Sequence, residues 1–137
     1  MDLSTAWGNH LVADPGVAAI AGDRTYPMVL PQGCEYPATT YQIISNPQHH
    51  NIPIGFPRIQ TTCWAESHEE ARELAAAVVD ACQRFRGVMG GAGGIVVINV
   101  KFEDDRDMTV EPAPVGGKRL YQVPVDFKVI YKLREGA

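Results

Sequence analysis

Residues 67–86 read SHEEARELAAAVVDACQRFR, and this stretch decides the fold class. Its apolar side chains recur every three to four residues, which is the period of a helix with one buried face. Ser67, followed three residues later by Glu70, matches a capping box, and Gly87 supplies a left-handed stop. The pattern predicts a helix over 67–86. Its buried stripe consists of Ala71, Leu74, Ala75, Val78, Cys82 and Phe85.

Four other stretches are rich in β-branched and aromatic residues or alternate apolar and polar residues, which is typical of half-buried strands. They are 38–45, 58–65, 95–103 and 119–131. The alternation is cleanest in the last stretch, where the odd-numbered side chains from Tyr121 to Tyr131 would face the core. We expect 58–65 to pair with 38–45. In 95–103, the predicted inward residues are Val96, Ile98, Val100 and Phe102.

The first thirty residues predict a helix, a turn and an extended arm. Leu3, Trp7 and Leu11 share one helical face, so a helix is expected over 2–13. The segment 17–21 is interpreted as a short turn. Pro27 crosses the extended piece 25–30 and cannot donate to a strand ladder, which predicts an edge or an arm rather than a central strand.

Together these elements predict an α+β domain. We expect a mostly antiparallel sheet of about four strands, packed against one long helix (67–86) and an N-terminal helix (2–13). A chain of 137 residues suits a single domain, 1–137. A proline-rich stretch at 46–57 is interpreted as a protruding loop, and 87–94 and 104–118 as connectors.

Composition excludes several classes of protein. The net charge of −4 argues against a nucleic-acid binder driven by bulk charge. No apolar run is long enough for a membrane span, and the polar, acidic N-terminus is unlike an export signal. Charged residues make up 20% of the chain, below the roughly 25% of an average domain. We therefore expect partners to cover part of the surface.

The sequence offers only weak candidates for catalytic or metal-binding residues. The glycines of 87–94 follow a helix and precede a strand, which is the wrong order for a phosphate loop. His49 and His50 are adjacent, so their side chains diverge; a metal site joining one of them to Cys63 and His68 is geometrically possible but disfavoured. The acidic run at 104–107 lacks the glycine and glutamate of a calcium loop. No nucleophile motif is present, so we predict no catalytic residues and no cofactor.

The cysteines also favour a non-catalytic protein. Cys34, Cys63 and Cys82 are odd in number and show no zinc-ligand spacing. Cys63 lies in a predicted strand and Cys82 on the helical stripe, so both are expected to be buried free thiols. Cys34, beside Gly33 in a loop, is the thiol that could be exposed.

The distribution of charge points to assembly. Residues 36–57 are twenty-two consecutive positions without Asp, Glu, Lys or Arg, although they include Tyr36, Ile52, Ile54 and Phe56. Interface cores are depleted of charge because charged groups are costly to desolvate. These four residues are predicted subunit-interface residues. The alternative is a loop folded back on its own domain.

The end of the sequence has the opposite bias. It is rich in cations, and the candidates are Lys118, Arg119, Lys128 and Lys132. In a ring of copies they could line a lumen or meet an acidic neighbour. The alternative is a solvated strand face.

A family resemblance is carried by an ordered set of segments spanning about residues 3–131. They are DPGVAAI (14–20), YP (26–27), LPQG (30–33), YPA (36–38), YQIIS (41–45), IQTTCWA (59–65), EEARELA (69–75) and VDFKVIY (125–131). In this order they resemble the small tail-completion, or tail-terminator, family of long-tailed bacteriophages and phage-like gene-transfer particles. The stretches 87–94 and 111–117 depart from that family's pattern.

The resemblance implies a structural virion protein, located in the tail or neck and assembled in the host cytoplasm. Members of that family are thought to form a ring, usually of six copies, at the head-proximal end of the tail tube. Such a ring ends tube growth, joins the tube to the head-side neck (stopper) protein and lets DNA pass without sequence-specific binding. The alternatives are another head–tail connector or oligomeric binding module and, less favoured, a small enzyme or metal-binding domain.

Overall fold

The computed structural model describes residues 1–47, 51–110 and 119–133. Three helices and eight strands make up the described part of the chain. The helices are α1 (Leu3–Ala13), α2 (Pro15–Ala21) and α3 (His68–Cys82). The strands are β1 (Thr25–Pro27), β2 (Ala38–Ser45), β3 (Ile54–Gly55), β4 (Arg58–Ala65), β5 (Gly87–Met89), β6 (Ile95–Asp105), β7 (Met108–Thr109) and β8 (Tyr121–Lys132).

The predicted fold class is wrong. All eight strands join one curled, mixed sheet, and no single long helix dominates. The main strand order is β1-β2-β4-β8-β6-β5, and the β1–β2 pair is parallel while the other pairs are antiparallel. The extra strands are short pieces of two or three residues, which carry no periodic signal.

Strand β8 organises the sheet. It pairs with β4 along one side and with β6 along the other. The two-residue strands β3 and β7 prolong these ladders at opposite ends of β8. Pro124 sits inside β8, where a proline is normally excluded. Pro124 is tolerated because its nitrogen, which carries no hydrogen, faces the break between β6 and β7. Its carbonyl faces the same way and accepts from the Arg106 N–H (3.3 Å).

The core lies between one face of the sheet and the helices. Trp7 of α1 is fully buried, lies 5.4 Å from the Phe127 ring centroid, and donates its indole N–H to Thr61 Oγ1 (3.0 Å). Helix α3 adds its apolar stripe, and Leu74 and Val78 are fully buried. The predicted inward side chains of β8 are confirmed for Val123, Val125, Phe127 and Val129.

Local signals set the helix starts. Ser67 Oγ accepts from the Glu70 N–H, as the capping box predicts. Asp14 Oδ2 accepts from the Val17 N–H and begins α2, with Pro15 in the first turn, so the interpretation of 17–21 as a turn is wrong. Asp2 caps α1 in the same way.

Tertiary contacts set the end of α3. The helix stops at Cys82 instead of Arg86, because the Arg84 N–H donates to the Val100 carbonyl of β6 (2.8 Å). Arg84 adopts a positive φ of 64°, and the Phe85 ring then packs on His10 at 4.7 Å. Residues 83–86, the last turn of the predicted helix, are therefore not helical and connect α3 to the sheet.

The predicted inward face of β6 is partly wrong. Val97 and Val100 are buried, whereas Val96 and Ile98 are 41% and 37% exposed. A bulge between Val97 and Asn99 shifts the register against β8, so strict alternation fails across it.

Two predicted connectors contain strands. Residues 87–94 include β5, which forms a hairpin with β6 through a loop at 90–94 in which Gly90, Gly91 and Gly93 have positive φ. Residues 104–118 include the end of β6 and β7, and 111–118 lie outside the described residues. Likewise β3 lies within 46–57, so part of the predicted protruding loop pairs with β8.

Candidate assembly surfaces

Side chains that could bind a metal ion are dispersed over the described part of the fold. No cluster of three or more His, Cys, Asp or Glu side chains that could hold a metal ion occurs among the described residues. His49 and His50 lie outside the described residues. Cys63 and Cys82 are buried, as predicted, and burial raises the pKa of both thiols. Cys34 is half-buried and donates to the Glu35 carbonyl.

No helix in the described ranges is both long and apolar enough to cross a membrane. Eleven large hydrophobic side chains are nevertheless exposed in the described part of the chain. Exposed apolar patches on a small protein mark interaction sites when they cluster. Three such clusters can be placed on the fold, at one end of the strands and at both lateral edges of the sheet.

The predicted interface residues fall into two places. Ile52, Ile54 and Phe56 lie where β2 and β8 end; Ile52 is 45% exposed, and the other two are half-buried. Tyr36 precedes β2, and an eight-residue strand is roughly 23 Å long. Tyr36 is therefore near the other end of the strands, and the four residues do not form one patch.

The strand end around Ile52 is more apolar than the sequence stretch alone suggested. Ile43 and Ile44, at the end of β2, are 39% and 42% exposed. Ile54 pairs with Lys132, and the Leu133 N–H donates to the Pro53 carbonyl (2.9 Å), so the loop is fixed to β8. We call Ile43, Ile44, Ile52, Ile54 and Phe56 the isoleucine end.

The predicted lumen residues that the structure describes do not cluster. Arg119 and Lys132 lie at opposite ends of β8, and Lys118 lies outside the described residues. Lys128 lies between them on the sheet face opposite the core, half-exposed. Of the three described residues in this set, Lys128 alone has other cations as register partners.

Three cations form a row across the middle of that face. Lys128 is flanked in register by Arg58 on β4 and by Lys101 on β6. Arg58 Nε bonds Glu103 Oε1 at 2.9 Å, whereas neither lysine forms an ion pair with a described residue. Residues so far apart in sequence become neighbours only through strand register, so sequence patterns could not have revealed this row.

An acidic row lies beside the cation row. Asp126 of β8 is flanked in register by Gln60 and Asp104. Asp126 is 8% exposed; it accepts from Gln60 Nε2 (3.0 Å) and lies 3.5 Å from Arg106 Nη1. The helix-free face of the sheet is therefore polar, and its charges nearly cancel.

A separate ion cluster fastens α3 to the β6–β7 turn. Arg72 contacts Asp105 at 3.1 Å and Asp107 at 2.7 Å, and His68 Nε2 lies 3.1 Å from Asp107 Oδ1. Two aspartates of the acidic run 104–107, Asp105 and Asp107, are thus paired. The hydrogen bond from His68, followed by that from Arg72, lowers the pKa of the Asp107 carboxyl below its ordinary value.

This cluster predicts an acid-sensitive contribution to stability. A lowered folded-state pKa contributes stability that is present above the unfolded pKa and lost as pH falls through the folded value. We expect Asp107→Asn to melt below wild type at pH 7, and the difference to shrink as the pH falls below the ordinary aspartate pKa of about 3.9. Thermal melts across this range test this. Asp80→Asn on exposed α3 surface is the control, and an equal pH-dependent change there would contradict the prediction.

The chain is similar to one known family in sequence and to a virion protein in structure. The sequence model of the family described as "Tail completion protein gp17" matches residues 8–132. Among solved structures, a chain of the "Virion of native gene transfer agent (GTA) particle" is similar at a TM-score of 0.74 and 17% identity. The similarity covers 95% of this chain and 94% of that chain, and it shows a shared fold. No curated protein is significantly similar in sequence.

Proposed function

The chain belongs to the tail completion protein gp17 family, and from this membership we propose that it forms a ring of six copies at the head-proximal end of a tail tube. The ring would end tube growth, join the tube to the head-side neck protein and let DNA pass. It would do so without catalysis or a cofactor. The match over residues 8–132 carries the proposal, since it makes the protein a structural component of the virion tail.

The sheet supports a ring because it is open at both lateral ends. β1 and β5 are edge strands of three residues each, and they present different surfaces. A ring needs contacts in which one patch meets a different patch on the next copy. Two lateral contacts of ordinary size would cover about 1,600 Å² of each copy. That is roughly a fifth of its 7704 Å² of accessible surface, which leaves room for axial partners.

We propose that the helix-free face of the sheet lines the channel. The face is polar, and its cation row (Arg58, Lys101, Lys128) lies beside an acidic row. A strongly basic channel would hold DNA through its phosphates, with counterion release adding affinity. Alternating rows of opposite charge would leave little net attraction, which suits a channel through which DNA slides. This retains Lys128 as a lumen residue.

The two strand ends would then face along the axis. We propose that the isoleucine end, with Ile52, Ile54 and Phe56, contacts the tail-tube protein. The other end carries Tyr36 and the Arg72–Asp107 cluster, and it would face the neck protein. An apolar surface suits a contact that stays closed after assembly.

The test measures assembly of the purified full chain alone and with tail-tube protein. We expect native mass spectrometry to find six copies, and electron microscopy to find tubes capped at one end and arrested in growth. Binding to the head-side neck protein without any effect on tubes would favour a different head–tail adaptor. A chain that stays monomeric and ignores tubes would contradict the proposal.

A further inference from the structure

The loop after β1 carries two apolar side chains that are exposed to solvent. Met28 and Val29 are 63% and 72% exposed, the largest values among the large hydrophobic side chains described. The Met28 N–H is tied to the Tyr41 carbonyl of β2 (2.9 Å), and Met28 adopts a positive φ of 67°. That conformation costs energy for a residue other than glycine, and such strain concentrates at functional sites. We call residues 28–30 the arm.

An apolar groove lies at the other lateral end of the sheet. It runs between α1 and β5, has a volume of about 460 Å³, and is lined by Val12, Ala13, Phe85 and Val88 among others. Val88 is 58% exposed and Val12 40% exposed. The wall at Phe85 is held in place by its ring contact with His10, which itself bonds the Ala81 carbonyl at 2.7 Å.

The charges around the two features are opposite. Asp23 and Glu35 are exposed on either side of the arm in sequence, and Arg84 and Arg86 are exposed on either side of Phe85. None of these four side chains forms a salt bridge within the described part of the chain. Acidic side chains thus flank the arm in sequence, and basic side chains flank Phe85 in the groove wall. Opposite charges on two surfaces that meet help to select partners.

We infer that the arm of one copy seats in the α1–β5 groove of the next copy. The arm follows one edge strand and the groove borders the other, so the contact joins different patches and can repeat around a ring. Met28 and Val29 fill the groove, while Asp23 and Glu35 face Arg84 and Arg86. This inference rests on the proposed ring and adds which surfaces form its lateral contact.

The first test removes the apolar contact. Val29→Asp places a carboxylate where the arm would be desolvated, so we expect the hexamer population in native mass spectrometry to fall at least tenfold. Met108→Asp is the matched control because Met108 is 43% exposed and lies in β7, away from both features. It should assemble like wild type. Circular dichroism should find both variants folded, since both side chains are exposed.

The second test exchanges the charges. Asp23→Lys with Glu35→Lys would bring like charges together, and so would Arg84→Glu with Arg86→Glu, so each pair should weaken assembly about tenfold or more. Combining all four substitutions should restore it to within a few-fold of wild type. Loss of folding cannot produce such a rescue.

The outcomes separate this contact from the ring itself. A wild-type chain that never oligomerises, alone or on tubes, contradicts the ring and with it the contact. A wild-type ring that persists in Val29→Asp, or a charge exchange without rescue, overturns the contact alone. A ring that persists in Val29→Asp but no longer binds tubes would assign the arm to the tail-tube protein, which also overturns the inference.

Discussion

Leu74→Asp is expected to abolish cooperative folding. Leu74 is fully buried on α3 against the sheet. Losing the leucine packing costs about 2–5 kcal/mol. Burying a carboxylate without a partner adds about as much again. Their sum reaches the whole stability of an ordinary domain, about 5–15 kcal/mol.

Thermal melting followed by circular dichroism measures this effect. Ala76→Asp is the control, because Ala76 is exposed on the same helix and its replacement costs only about 0.7 kcal/mol of helix propensity. A Leu74→Asp chain that melts at the wild-type temperature would mean that α3 does not pack on the sheet as described.

Ile52→Asp is expected to abolish capping of tail tubes while leaving the chain folded. Ile52 is 45% exposed, so the substitution should change stability by about 0.5 kcal/mol at most. A carboxylate at the centre of an apolar contact is costly to desolvate, and central contacts dominate binding energy. Ile54 and Phe56 are half-buried, so Ile54→Asp with Phe56→Asp would test folding and assembly together.

Electron microscopy of tubes mixed with the variant reads out capping. Met108→Asp, on an exposed side chain near the other strand end, should cap tubes as wild type does. The reverse pattern, with capping lost in Met108→Asp and kept in Ile52→Asp, would place the tube at the end of the sheet that carries β7.

Sequence patterns predicted the features that local chemistry determines. The capping box at Ser67, the buried stripe through Leu74 and Val78, and the inward side chains of β8 all depend on neighbours within a few residues. The start of α2 belonged to this class as well. Its signals, Asp14 as a cap and Pro15 in the first turn, are local and lie in the sequence.

Features set by distant residues could not be predicted. α3 ends early because Arg84 bonds Val100, and β3 and β7 exist as strands only because β8 offers them partners. The same holds for the surfaces. Tyr36 and Ile52 lie at different strand ends, and three cations form a row around Lys128. Both arrangements follow from the register between segments that are far apart in the chain.

The position of β8 in the chain has a consequence for biosynthesis. All of its partners, β3, β4, β6 and β7, are translated before it. Until residues 121–132 leave the ribosome, β4 and β6 each present an unpaired edge that can join another nascent chain. Pairing over such sequence distances is slow, which prolongs that exposure. We therefore expect aggregation during expression to increase when residues 121–132 are delivered slowly, for example when translation stalls near residue 120.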